Sequence, residues 1–198
     1  MGLIMGSSSS SIFNNVRGIN NLYDQDFTAE EKIVKQTPGE KSYSEVFGSL
    51  RNSPELSTTS LDIDYRSLVW KHDPYRNFVI LEYKVRNVSS SPITGFYFGV
   101  FADWDIALNG AGDRASWDND TRLGYVFPAM PLSLPRAGIQ ALSQNVHYYA
   151  IDNDPAISGN PFGIYDGYTD SEKFLSISSG LGKVEAGNAS TGNDVSQV

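Results

Sequence analysis

Between residues 60 and 87 apolar and polar side chains alternate in two runs. "SLDIDYRSLVW" sets Leu61, Ile63 and Tyr65 against Asp62, Asp64 and Arg66, and "NFVILEYKVRN" sets Val79, Leu81, Tyr83 and Val85 against Glu82, Lys84 and Arg86. A period of two sends successive side chains to opposite faces of a strand, so each run predicts a half-buried strand, with "KHDPYR" as the turn between them. After a second turn, "VSSSP", the run "ITGFYFGVFADWDI" places Phe96, Phe98, Val100, Ala102, Trp104 and Ile106 on one side. Tyr97, Gly99, Phe101, Asp103 and Asp105 take the other. The short turn predicts that residues 78 to 106 form one antiparallel ribbon, with a dry tryptophan side and an acid side that ends at a solvent-facing loop.

Further candidate strands are shorter: "RLGYVF", "AGIQAL", "VHYYAI" and "FGIYDGY", separated by turn residues at close spacing. Residues 1 to 60 are mixed. An apolar start (Leu3, Ile4, Met5) precedes a run of serines that reads as a flexible connection, and Pro38, Gly39 and Pro54 break the polar stretch beyond it into short strands and long loops. One segment has helical spacing: in "TDSEKFLSISSG", Thr169 and Glu172 make a capping box and Gly180 a stop. The reading is all-β, a mainly antiparallel β-sandwich with one short helix near residues 169-179. A chain of 198 residues has room for one sizeable core, so a single domain over residues 1-198 is expected.

Composition supports sheet and narrows the partners. Hydrophobic residues make up 40%, with 11 Tyr and 10 Phe, so much of the apolar content is of types that suit a pleated surface. Fifteen Lys and Arg against 23 Asp and Glu leave a net charge of −8 with no basic cluster, which argues against nucleic acid and anionic membranes as partners. No segment reaches the roughly 20 apolar residues of a membrane span. "MGLIMGSSSSS" has no basic flank and too short an apolar stretch to be an export signal as written. The chain has no cysteine, which excludes disulfides, thiolate catalysis and Cys-ligated metals.

Asp103 and Asp105 share a strand face, about 6 to 7 Å apart. That spacing suits the two carboxylates of an inverting glycoside hydrolase, and equally two oxygen ligands of one calcium ion. The loop after them adds Asn109, Asp113, Asp118, Asn119 and Asp120, with Gly110 and Gly112 to let the chain curl. Hard oxygen donors point to calcium, held in an irregular site, because the spacing from Asp118 misses the EF-hand pattern. A third reading needs no ion: Asx turns at the wet end of a strand. All three stay open.

His72 and His147 stand far apart with no cysteine to help them hold zinc, and no Gly-x-Ser-x-Gly elbow or phosphate-binding glycine motif is present. The remaining lead is aromatic. Tyr148 and Tyr149, with Tyr165 and Tyr168, are candidates to stack on sugar rings, against the simpler role of strand residues with wet hydroxyls.

On "NFVILEYKVRNVSSSPITGFYFGVFADWDI", "RLGYVF", "AGIQAL" and "YDGYTDSEKFLSISSG", and with "GLIMGSSSSSIFNNVRG" and "GNDVSQV" at its ends, the chain resembles an accessory β-domain of large secreted Bacteroidetes proteins. Such proteins often carry a subtilisin-like peptidase domain and a C-terminal sorting domain. The resemblance implies a secreted or cell-surface location, neighbouring domains of the same polypeptide as partners, and further strand sequence after Val198. It carries no catalytic residues. The expected function is a non-catalytic module that stabilises or positions a neighbour or binds an extracellular polysaccharide, calcium-braced at the aspartate loop. The alternative is a glycoside hydrolase working through Asp103 and Asp105.

Overall fold

The computed structural model describes residues 1–16, 18, 22–53, 59–102, 104, 106, 113–128, 135–143, 146 and 169–178. Three mostly antiparallel sheets and, among the described residues, a single α-helix make the chain all-β, as the alternation requires. The strands are β1 (Gly2–Ser8), β2 (Ser11–Asn14), β3 (Phe27–Gln36), β4 (Ser44–Asn52), β5 (Leu61–Val69), β6 (Val79–Asn87), β7 (Tyr97–Phe101), β8 (Asp113–Asp118), β9 (Leu123–Pro128) and β10 (Ala137–Gln140); the helix is α1 (Asp170–Ser178). No helix among the described residues is long and apolar enough to cross a membrane. The chain divides into two compact units.

The first unit comprises Met1–Ile12, Val16–Asp24 and Phe96–Val198. Its sheets run in the order β2-β1-β7 and β10-β9-β8. Leu3, Ile4 and Met5 are all buried, so β1 is dry on both faces and shows no alternation. The serine run is therefore not the flexible connection expected of it: Ser7 and Ser8 end β1, Ser11 opens β2, and Ser9 and Ser10 make the turn. Ile4, Ile12 and Val16 form a core against which Phe101 and, from α1, Phe174 and Ile177 pack. Gly99 makes this seat, because a Cβ there would stand 2.6 Å from Ile177 Cγ2. Tyr97 meets the Phe174 ring edge-on at 5.9 Å. The odd-numbered side of β7, expected to be the wet one, is thus the side that packs against α1, while Tyr97 and Phe98, on opposite sides, are about equally exposed at 39% and 38%.

The second unit comprises Phe13–Asn15 and Gln25–Gly95, with one sheet in the order β3-β4-β5-β6. β5 and β6 pair from Leu61↔Asn87 to Val69↔Val79 without a break, the hairpin that their alternation predicts. The expected ribbon of residues 78 to 106 does not form. β7 pairs with β1 instead, from Gly2↔Phe101 to Gly6↔Tyr97, because the doubly buried β1 takes the place beside it, and the chain leaves β6 through Gly95 at φ 64°. Residues 27 to 52, expected to hold short strands, supply two of the longest. β3 hides from pattern reading because it is an edge strand with both faces wet, charged along its length and bulged between Ala29 and Val34. Leu61 and Ile63 anchor one face of the sheet. The other carries an ionic row: Arg51 lies 3.3 Å from Glu30 and 2.8 Å from Asp62, and Arg86 lies 3.3 Å from Asp64. Its hydrogen bond to Asp62 holds the Arg51 guanidinium above its usual pKa.

Candidate functional site

The β5–β6 connection runs from Trp70 to Phe78. The amide of Tyr75 donates to the His72 carbonyl at 2.9 Å, a single 3-10 turn spans Tyr75–Asn77, and Asp73 pairs with Arg76 at 2.7 Å. This tight turn folds three aromatic rings onto one another. Trp70 lies 6.5 Å from Tyr75 and 5.8 Å from Phe78, and Tyr75 meets Phe78 at 6.0 Å and 86°. Spacings and tilts of this kind are favourable for aromatic pairs, so the cluster stiffens the tip. It does not bury it: Tyr75 stays 50% exposed and Phe78 44%. Val79 and Leu81, exposed on the adjoining strand, extend the apolar strip.

A fourth ring comes from the neighbouring hairpin. Tyr43 precedes Ser44, which is registered opposite Val69, and the Lys71 ammonium stands 4.4 Å over its ring. The turn that carries Tyr43 is fixed from inside by Glu45, a fully buried carboxylate on β4. Glu45 Oε1 accepts from the amides of Lys41 at 2.6 Å and Ser42 at 3.1 Å, and the Arg66 guanidinium lies 3.0 Å from Oε2, off the line of a hydrogen bond. Gly39 leaves room for this carboxylate, since a Cβ there would come within 2.7 Å of Glu45 Cδ. A buried charge held by two amides and a guanidinium is costly to disturb, so the turn presents Tyr43 on a firm base. The resulting surface offers π faces in several orientations flanked by Lys71, His72, Asp73 and Arg76. Ring faces bind the C–H side of a sugar ring, and the flanking polar groups suit its hydroxyls.

Of the site residues expected from sequence, Asp113, Asp118 and Asp120 are described. Asp103, Asp105, Asn109, Tyr148, Tyr149, Tyr165 and Tyr168 lie outside the described residues. Asp113 and Asp118 begin and end β8, which holds their Cα atoms about 16 Å apart. Asp118 and Asp120 are brought together, as members of one turn: Asp118 Oδ1 accepts from the amides of Asp120 at 3.0 Å and Thr121 at 3.2 Å. The Thr121 hydroxyl and amide hold the Asp118 carboxyl below its ordinary pKa. Among the described residues no three His, Asp or Glu side chains gather as a metal site would need. The aromatic tip escapes sequence reading because Asp73-Pro74 marks a turn, although "WKHDPYRNF" packs three aromatic residues into nine positions. Compared with known proteins, the chain matches no protein family, no curated protein and no solved structure.

Proposed function

We propose that this chain is a binding module of an exported protein, and that it takes an extracellular polysaccharide on the aromatic tip formed by Trp70, Tyr75 and Phe78, with Tyr43 beside them. The observation that carries this reading is the exposure of a pre-packed aromatic cluster at the end of a hairpin. Rings already locked against one another lose little conformational freedom when a ligand arrives, which favours binding by a rigid platform. The net charge of −8 fits a neutral or cationic polymer better than an acidic one. In the larger polypeptide such a module holds its neighbours near the polymer.

Retention on a panel of insoluble polysaccharides tests the reading, with tryptophan fluorescence as a second readout. Wild-type chain is retained on at least one polymer, and Tyr75→Ala and Trp70→Ala each weaken retention about tenfold, the scale of losing one aromatic contact. Absence of retention across neutral, cationic and acidic polymers refutes the proposal, as does retention that both substitutions leave unchanged.

A further inference from the structure

Most described arginines of this acidic chain have an acceptor within the fold. Arg51, Arg66, Arg76 and Arg86 each pair with an aspartate or glutamate, and Arg122 donates to the Ser143 carbonyl at 2.6 Å. Among the described residues Arg114 and Arg136 pair with no acid. The two are neighbours across one ring. Arg114 on β8 stands opposite Phe127 on β9, and Arg136 precedes Ala137, which stands opposite Val126, so the next step of that ladder sets Arg136 on the other flank of Phe127. Its guanidinium lies 5.8 Å from the centroid of the Phe127 ring. Two strand spacings put the Cα atoms of the two arginines about 10 Å apart, near enough for both side chains to reach one group over the ring between them.

The same face carries a second ring. Tyr125 lies 5.8 Å from Phe127 with the ring planes 33° apart, and Gly138, opposite Tyr125, has no side chain to cover it. Arg136, Gly138 and Gln140 are exposed, and Tyr125 and Phe127 are partly so. Asp118 shares the face at the far end of β8, about 13 Å from Arg114, with its carboxylate taken up by the turn. Nε of Arg114 is buried without an acceptor. A guanidinium partly shut from water and unpaired gains most from an anion brought to its remaining N–H groups.

We infer that this face is a second binding site and that it takes a sugar ring bearing one carboxylate, the ring on Tyr125 and Phe127 and the carboxylate between Arg114 and Arg136. Aromatic faces receive the C–H side of a sugar ring, and guanidinium N–H pairs match the two oxygens of a carboxylate. The net charge of −8 opposes a polyanion, so the ligand is an acidic residue on an otherwise neutral glycan. This face belongs to the first compact unit and the aromatic tip to the second, so the two sites are tested separately.

NMR titration of the arginine Nε–H signals with methyl glucuronide reads the site, beside methyl glucoside, acetate and inorganic sulfate. Glucuronide moves the Arg114 and Arg136 signals and binds about tenfold or more tighter than the other three, because it alone offers both ring and carboxylate. Arg114→Gln and Arg136→Gln each weaken it about tenfold, and Phe127→Leu removes its advantage over acetate. Tyr75→Ala leaves it unchanged. Arg136 is exposed, so its variant tests the site even where Arg114→Gln disturbs β8, and amide spectra that overlay wild type outside β8, β9 and β10 report folding. No movement of either arginine signal up to about 100 mM glucuronide overturns the proposal. So does acetate or sulfate binding that matches glucuronide, or glucuronide binding that Arg136→Gln leaves unchanged. These outcomes leave polymer retention at the tip as it was, so this site and the tip stand or fall independently.

Discussion

Asp118 shows how one aspartate satisfies the pattern of a metal ligand and the chemistry of a turn residue alike. Its Oδ1 already accepts two amides of the β8–β9 turn, in which Arg122 takes φ 55°. Sequence alone does not decide, because Asp-Asn-Asp-Thr is equally good as oxygen donors and as Asx-turn formers. The structure gives the difference a measurable sign. The Thr121 hydroxyl, then its amide, favours the charged carboxylate in the fold, so the folded pKa lies below the unfolded one. The stabilisation is present above the unfolded pKa and is lost as pH falls through the folded value. A carbon-detected NMR titration of Asp118 is expected to show a midpoint below the ordinary aspartate value, and Thr121→Val to move it back up. A wild-type midpoint at the ordinary value contradicts the turn assignment.

Among the elements, α1 is the most legible from sequence and the most dependent on what sequence does not show. The capping box is there as read: Thr169 Oγ1 receives the Glu172 amide at 3.3 Å, and Glu172 Oε2 accepts from the Thr169 amide at 3.0 Å. Nine residues are too few for a stable helix on their own, so tertiary contacts must hold it. Phe174 and Ile177 supply part of this on the Gly99 seat. Lys173 supplies the rest in a form no periodicity predicts, with its ammonium sealed at 1% exposure and 2.5 Å from Asp24. Asp170 is close by, its carboxyl pushed above the usual value by burial, against the pull of Lys173 and with the push of Asp24. The two ends of the pair differ in cost. Asp24→Asn strips one counter-charge from an ammonium that stays buried, whereas Lys173→Met removes the buried charge, keeps the stem and leaves Asp24 half in water. Urea unfolding is expected to show a loss of about 3 kcal/mol for Asp24→Asn and less than about 1 kcal/mol for Lys173→Met. The reverse order is incompatible with a buried ion pair as the latch.

At the scale of the whole molecule, the strands with one wet face are readable and their partners are not. Leu61 to Arg66 and Val79 to Arg86 announce themselves by alternation, but β1 is dry on both sides, β3 wet on both, and neither leaves a period to read. With β1 hidden, only proximity in sequence suggests a partner for β7, and it suggests β6.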